Sequence, residues 1–121
     1  MRDLHFPGRS AVYARNGICA TSHPLAALVA VDVLKSGGNA VDAAIAGALV
    51  LGIAEPQMTG IGGDCFALVK PAGSEDVIAL NGSGRAPQGL NAAELRARGL
   101  TAVPIQGIEA VTLPGAIDAF C

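Results

Sequence analysis

The sequence predicts an α+β unit in which two helices are followed by a β-hairpin. Apolar residues recur at helical spacing over 25–36, and a nearly continuous run of small and aliphatic residues covers 43–54. Two short apolar segments, 64–70 and 76–80, then flank a Pro-Ala-Gly-Ser turn. With 51% hydrophobic and 15% charged residues, the chain is too apolar for intrinsic disorder.

The first helix is predicted to start at His23-Pro24 and to cover 25–36. Ser22 or His23 can accept a hydrogen bond from the first free N–H groups, and Pro24 suits the first helical position. Gly37 ends the helix, because glycine adopts the left-handed cap conformation at little cost.

The second helix is predicted to start after Asn39 and to run to about residue 54, before Glu55-Pro56. Asn39 is the expected N-cap, and Asp42 lies in the first turn, where a negative charge is favoured. The helix is apolar nearly all round, which predicts that other elements cover it on several sides.

The hairpin is predicted to consist of 64–70 and the return strand 76–80, and the glycine-rich loop 60–63 leads into it. Asn91 and Glu94 resemble a capping box for a short helix through Arg98, which Gly99 ends. Short strands are also predicted at 18–22 and 110–112. A helix starting at Pro114 stops on apolar residues at 120–121, which indicates a truncated chain.

Charge and composition exclude several classes of function. Eight Lys and Arg against ten Asp and Glu give a net charge of −2, without the basic stripe of a nucleic-acid binder or the basic cluster of a membrane-surface segment. The run 43–54 spans roughly 18 Å as a helix, too little for a bilayer core of about 30 Å. Residues 1–17 show no apolar leader segment, so a cytoplasmic location is predicted.

The number and spacing of the cysteines and histidines argue against a disulfide scaffold and against a metal site. The three cysteines are an odd number without a CxxC pair, and His5 and His23 form no ligand motif. Cys65 and His23 as nucleophile and base are disfavoured, because Cys65 lies in a strand pattern and His23 fits a helix cap. The glycines at 60–63 follow a helix and precede a strand, the reverse of a phosphate-binding loop.

Ser83 and Arg85 are the candidate binding residues. They lie in a glycine-flanked loop immediately after the predicted return strand, and an Arg guanidinium can bind a carboxylate through two hydrogen bonds. A solvated surface Arg in a turn is the alternative, and the residues alone do not decide between the two.

Over about residues 10–121 the chain resembles the front of the large subunit in the gamma-glutamyltranspeptidase family. The motifs that carry the resemblance are Gly37-Gly38-Asn39-Ala40-Val41-Asp42-Ala43-Ala44, Glu55-Pro56 and Gly60-Ile61-Gly62-Gly63. The resemblance implies the four-layer αββα sandwich of N-terminal-nucleophile hydrolases, to which this chain would contribute helices of one layer and a hairpin. It also implies an N-terminal extension at 1–16 and a large-subunit segment at 17–121.

The resemblance further implies a precursor that cleaves itself into a large and a small subunit. The new N-terminal threonine of the small subunit would attack a gamma-glutamyl amide, typically of glutathione, with no metal or cofactor. The partners would be that small subunit and a small amide, with no nucleic acid and no membrane. No residue here would be catalytic, and the chain alone would be inactive, because its threonines do not match the nucleophile: Thr21, Thr59, Thr101 and Thr112.

One motif departs from the gamma-glutamyl enzymes of the family. These carry Asp-Gly-Arg-Glu-x-Ala-Pro after the second hairpin strand, and the Arg binds the substrate's α-carboxylate. The corresponding stretch here is Asn81-Gly82-Ser83-Gly84-Arg85-Ala86-Pro87. Ser83 stands at the Arg position and Arg85 lies two residues further on, a pattern that resembles the transpeptidase-like amidohydrolases and acylases of the family.

Three functions therefore stay open. They are hydrolysis or transfer of gamma-glutamyl groups, hydrolysis of another small carboxylated amide, and a structural module without chemistry. The departure predicts weak gamma-glutamyl turnover, which Ser83→Arg together with Gly84→Glu would partly restore.

Overall fold

The predicted order of two helices and a hairpin is confirmed in the computed structural model, which describes residues 10–121. The elements in chain order are α1 (Pro24–Lys35), α2 (Ala40–Ala54), β1 (Cys65–Val69), β2 (Ile78–Gly82), α3 (Ala92–Ala97), a 3₁₀ turn (Ile108–Ala110) and α4 (Ala116–Phe120). The expected N-terminal extension at 1–16 lies largely outside the described residues and stays a prediction.

Helix α1 is capped by His23, one of the two predicted residues. The N–H of Leu25 donates to His23 Nδ1 at 3.2 Å, and Pro24 occupies the first turn. Ser22 instead donates its hydroxyl to Glu55 Oε2 at 2.6 Å, which ties the start of α1 to the end of α2. Gly37, with φ of 95°, follows the helix as predicted.

Helix α2 begins with a complete capping box. The Asn39 side chain accepts from the N–H groups of Val41 and Asp42 at 2.8 and 3.0 Å, and Asp42 Oδ2 accepts from the N–H of Asn39 at 3.0 Å. These bonds satisfy three donors that a helix start leaves free. The predicted start and end of this helix are confirmed.

The two helices pack through small side chains. Ala26 and Ala30 of α1 and Ala43 of α2 are buried, and Gly47 is buried between them. No larger apolar side chain of the two helices is fully buried, and Ile53 is 85% exposed. The all-round cover predicted for α2 is thus not supplied by the described residues.

The hairpin is confirmed, but its second strand lies two residues later than predicted. Strands β1 and β2 are antiparallel, with Cys65 opposite Gly82 and Val69 opposite Ile78. The N–H of Asp76 donates to Ser74 Oγ at 3.0 Å, a local turn that competes with ladder pairing at the start of the predicted strand. Helix α4 packs against both strands.

The short strands predicted at 18–22 and 110–112 are wrong. Neither segment pairs with a strand among residues 10–121, and Ile18 is 59% exposed. A strand needs a ladder partner for its backbone groups, which an apolar sequence pattern alone does not supply. Residue 110 instead ends the 3₁₀ turn.

The two last helices are present and shorter than predicted. Helix α3 ends at Ala97, and its N-cap Asn91 accepts from the N–H of Ala93 at 2.9 Å. This is one half of the expected capping box, since no return bond from Glu94 is found in the described part of the chain. Helix α4 starts at Ala116, two residues after Pro114.

None of the helices described here is both long and apolar enough to cross a membrane. The cytoplasmic location stays a prediction from the sequence.

Candidate functional site

The candidate binding residues Ser83 and Arg85 lie in the loop that directly follows β2. Both are exposed, and glycines precede each of them at positions 82 and 84. We call residues 83–85 the substrate loop, after the binding role that the sequence predicts for Ser83 and Arg85. The sequence prediction of its place, immediately after the hairpin, is correct.

A hydrogen bond holds the backbone at each residue of the substrate loop. The N–H of Ser83 donates to Asn81 Oδ1 at 3.0 Å, the N–H of Gly84 donates to Asp64 Oδ1 at 2.7 Å, and the carbonyl of Arg85 accepts from the N–H of Leu113 at 2.9 Å. These partners come from three different parts of the chain. The loop backbone is therefore held in place although its side chains are exposed, as a binding element requires.

Close backbone approach restricts the loop further. A Cβ on Gly84 would overlap the carbonyl oxygen of Leu113 and lie 2.7 Å from Thr112 Oγ1. A Cβ on Gly115 would overlap the carbonyl oxygen of Gly82 and lie 2.8 Å from the Gly84 nitrogen. The segment 112–115 and the substrate loop thus interlock at distances that only glycine allows.

The interlock corrects one expectation from the sequence. The exchange Gly84→Glu does not fit this backbone, because any side chain at residue 84 meets the carbonyl oxygen of Leu113 and the side chain of Thr112. Ser83 is exposed, so Ser83→Arg alone is the substitution that we use to test gamma-glutamyl recognition.

The glycine-rich loop at 60–63 supports the same region through a carbonyl group. Gly63 O accepts from the N–H groups of Gly115 and Ala116 at 3.0 and 2.9 Å, so the first turn of α4 rests on this loop. The order helix, loop, strand is as expected from the sequence.

Arg85 has no carboxylate within ion-pair distance among residues 10–121. Of the three ion pairs in that range, the shortest joins Arg98 Nη2 and Glu109 Oε1 at 2.7 Å. A hydrogen bond from its own backbone N–H, together with Arg98, lowers the pKa of Glu109 below the ordinary value of 4.5. The side chain of Arg85 is exposed in the described part of the chain.

His23 and Cys65 occupy structural positions. His23 caps α1, and Cys65 is the first residue of β1, opposite Gly82. Within the part of the chain that the structure describes, no three His, Cys, Asp or Glu residues gather as metal ligands.

Sequence reasoning missed the residues that hold the loop. The sequence pattern predicts residue 64 only as the first residue of a strand, and 112–115 as the end of a strand and the start of a helix. No local pattern indicates these roles, because Asp64 and Gly84 are 20 residues apart in the chain.

Comparison with protein-family models matches residues 26–121 to gamma-glutamyltranspeptidase. The chain is 45% identical over 75 residues to the glutathione hydrolase proenzyme of Bacillus subtilis (strain 168), covering 62% of this chain and 13% of that protein. It is 40% identical over 99 residues to the glutathione hydrolase-like YwrD proenzyme of the same strain, covering 81% and 18%. The acylase ACY 1 proenzyme of Pseudomonas sp. (strain SE83) is 35% identical over 115 residues, covering 87% and 20%.

Solved structures agree with the sequence matches. The cephalosporin acylase of Bacillus halodurans superposes with a TM-score of 0.84 at 48% identity, covering 98% of this chain and 22% of that one. The gamma-glutamyltranspeptidase of Helicobacter pylori superposes with a TM-score of 0.80 at 29% identity, covering 92% and 32%. The predicted α+β fold class and the resemblance are confirmed, and the chain spans only 13–20% of the length of the three curated relatives named above.

Proposed function

The chain belongs to the gamma-glutamyltranspeptidase family, and we propose that it is the front of the large subunit of a self-processing amide hydrolase. Curated relatives bear the name proenzyme, which supports maturation by cleavage. The small subunit of the same precursor would supply the N-terminal threonine. No residue of this chain takes a catalytic role in the proposal.

In the proposed reaction the threonine hydroxyl oxygen attacks the carbonyl carbon of the substrate amide. The threonine's own amine takes the hydroxyl proton and passes it to the departing nitrogen as the C–N bond breaks. Water then hydrolyses the acyl-enzyme ester and restores the threonine. The segment described here would hold the acyl part of the substrate while these steps proceed.

The main structural support for this proposal is Arg85. Its guanidinium is exposed, has no carboxylate partner among the described residues, and belongs to a loop whose backbone is held at every residue. It would bind a carboxylate of the substrate and so orient the amide. Substrate recognition at Ser83 and Arg85 is a proposal that rests on this geometry.

We favour a small carboxylated amide other than a gamma-glutamyl compound as the substrate. Ser83 stands where the gamma-glutamyl enzymes carry their carboxylate-binding Arg, and Arg85 is displaced by two residues, roughly 7 Å along an extended chain. A carboxylate bound at Arg85 would therefore belong to a differently shaped acyl group. The 48% identity to a cephalosporin acylase supports the same choice.

Gamma-glutamyl hydrolysis or transfer, with glutathione as substrate, is the second candidate. The names of two curated relatives favour it, since both are glutathione hydrolases or resemble them. A structural module without chemistry is the third.

The deciding experiment compares kcat/KM of the full-length protein for two amides. One is an N-acyl cephalosporin whose acyl chain ends in a carboxylate and carries no α-amino group, and the other is a gamma-glutamyl anilide. We expect the first to be preferred, Arg85→Gln to raise its KM about tenfold or more, and Ser83→Arg to improve the gamma-glutamyl anilide.

Arg96→Gln is the matched control, because Arg96 is an exposed arginine on α3 and has no ion pair among the described residues. A preference for the gamma-glutamyl anilide with no effect of Arg85→Gln would refute the acylase proposal. Absence of self-cleavage and of both activities would favour the structural module, and hydrolysis by the 121-residue chain alone would contradict the two-subunit scheme.

A further inference from the structure

We infer that Asp64 is a positioning residue that sets the conformation of the substrate loop, an inference that rests on the proposed role of Arg85 in binding substrate. Asp64 Oδ1 accepts the N–H of Gly84 at 2.7 Å. This bond holds the central residue of the loop, immediately before Arg85.

Asp64 stands where the hairpin ladder stops. Cys65 is opposite Gly82 in the register, so a continued ladder would place residue 64 opposite Ser83. Instead, the N–H of Ser83 donates to Asn81 Oδ1, and the Asp64 side chain takes the next N–H, that of Gly84. The carboxylate thereby replaces strand pairing and directs the chain out of the sheet.

The hydrogen bond to Asp64 restricts the backbone of Gly84, which would otherwise be freer than that of any other residue type. Glycine has the widest conformational freedom of any residue, so a loop centred on it does not keep one shape unaided. The carbonyl oxygen of Leu113 and the side chain of Thr112 occupy the space where a Cβ of Gly84 would lie. The Asp64 carboxylate accepts a hydrogen bond from the N–H of Gly84. Together these contacts define where the backbone of Arg85 begins.

The Asp64 carboxylate forms no ion pair with any of the residues described. The acceptor oxygen is what matters in this mechanism, and not the charge. An asparagine, whose Oδ1 can accept the same N–H, should therefore preserve the loop, whereas an alanine should not.

The test measures KM and kcat of the full-length protein for an amide whose acyl chain ends in a carboxylate. We expect Asp64→Ala to raise KM about tenfold with kcat changed less than about threefold, and Asp64→Asn to stay within about twofold of wild type. Asp76→Ala is the control, because Asp76 is an exposed aspartate of the hairpin turn whose hydrogen bond to Ser74 uses its backbone N–H. A structural defect alone would not be rescued selectively by asparagine.

A second measurement does not depend on the substrate. Exchange of the Gly84 amide proton, followed by NMR or mass spectrometry, should accelerate about tenfold in Asp64→Ala and stay unchanged in Asp64→Asn and Asp76→Ala. If the wild-type protein cleaves no carboxylated amide, the proposed function fails, and amide exchange still decides whether Asp64 orders the loop. Unchanged Gly84 exchange in Asp64→Ala, or faster exchange with an unchanged KM, would overturn the inference.

Discussion

The α1–α2 pair and the substrate-loop region differ in how much space surrounds their glycines. A Cβ on Gly47 of α2 would lie 3.6 Å from Ala26 O and 3.7 Å from Ala30 Cβ, which is ordinary contact distance. A Cβ on Gly84 or Gly115 would overlap a carbonyl oxygen. The helix pair thus has room for a methyl group, and the loop region has none.

The two regions also differ in what holds them together. The helix pair is stabilised by burial of small apolar side chains and by caps within a few residues of each helix end. In the hairpin, the side chains of Phe66 and Leu68 are 67% and 78% exposed. Among the described residues, the hairpin is therefore stabilised mainly by backbone hydrogen bonds and by the packing of α4. Its geometry depends on long-range backbone contacts, and we expect it to be the more sensitive region.

The largest effect is expected from alanine at the two glycines compared above. Gly84→Ala should destabilise the chain by about 3 kcal/mol, because the methyl group displaces the Leu113 carbonyl and the Thr112 side chain and strains the hydrogen bonds of Gly84 and Arg85. Gly47→Ala should stabilise it by about 1 kcal/mol through helix propensity. Urea unfolding followed by circular dichroism measures both changes.

Gly89→Ala is the control for the loop glycine, since a Cβ at Gly89 would meet no atom within 4 Å. It should change stability by less than about 0.5 kcal/mol. Equal losses in Gly84→Ala and Gly89→Ala would show that the interlock contributes no stability of its own.

A smaller effect is expected from the helix caps. Asn39→Ala removes the side chain that accepts from the N–H groups of Val41 and Asp42, and it should cost about 1 kcal/mol. Asn91→Ala removes a single such bond at the six-residue helix α3 and should cost less. The thermal unfolding temperature should decrease more in Asn39→Ala than in Asn91→Ala. The reverse order would contradict the importance of the complete capping box at α2.

The smallest effect concerns pH. Because the pKa of Glu109 is lowered in the folded chain, its contribution to stability is present above the ordinary value of 4.5 and is lost as pH falls through the folded pKa. Unfolding temperature measured from pH 7 to pH 3 should therefore fall less steeply in Glu109→Gln than in wild type. Arg98→Gln should show part of the same flattening, since Arg98 is the second cause of the shift, and an unchanged slope in both variants would argue against the pair.

Sequence reasoning located the helices, their caps and the hairpin because the causes are local. His23, Asn39 and Asn91 cap the helices that follow them through bonds to residues two or three positions away, and such bonds can be inferred from residue type and spacing. It misplaced the second strand by two residues, since a turn around Ser74 competed with the ladder. The exposed apolar segment 18–22 has no strand partner among residues 10–121, and its pattern could not show that.

By itself, then, the sequence determined the starts of α1, α2 and α3, the presence of a hairpin, and the place of Ser83 and Arg85 just after it. Only the tertiary structure decided how that loop is held. The bonds from Gly84 to Asp64 and from Gly115 to Gly63 join residues that are distant in the chain. Backbone N–H groups, the donors of both bonds, are present in every residue type except proline, so residue identities do not reveal which acceptor each of them meets until the chain is folded.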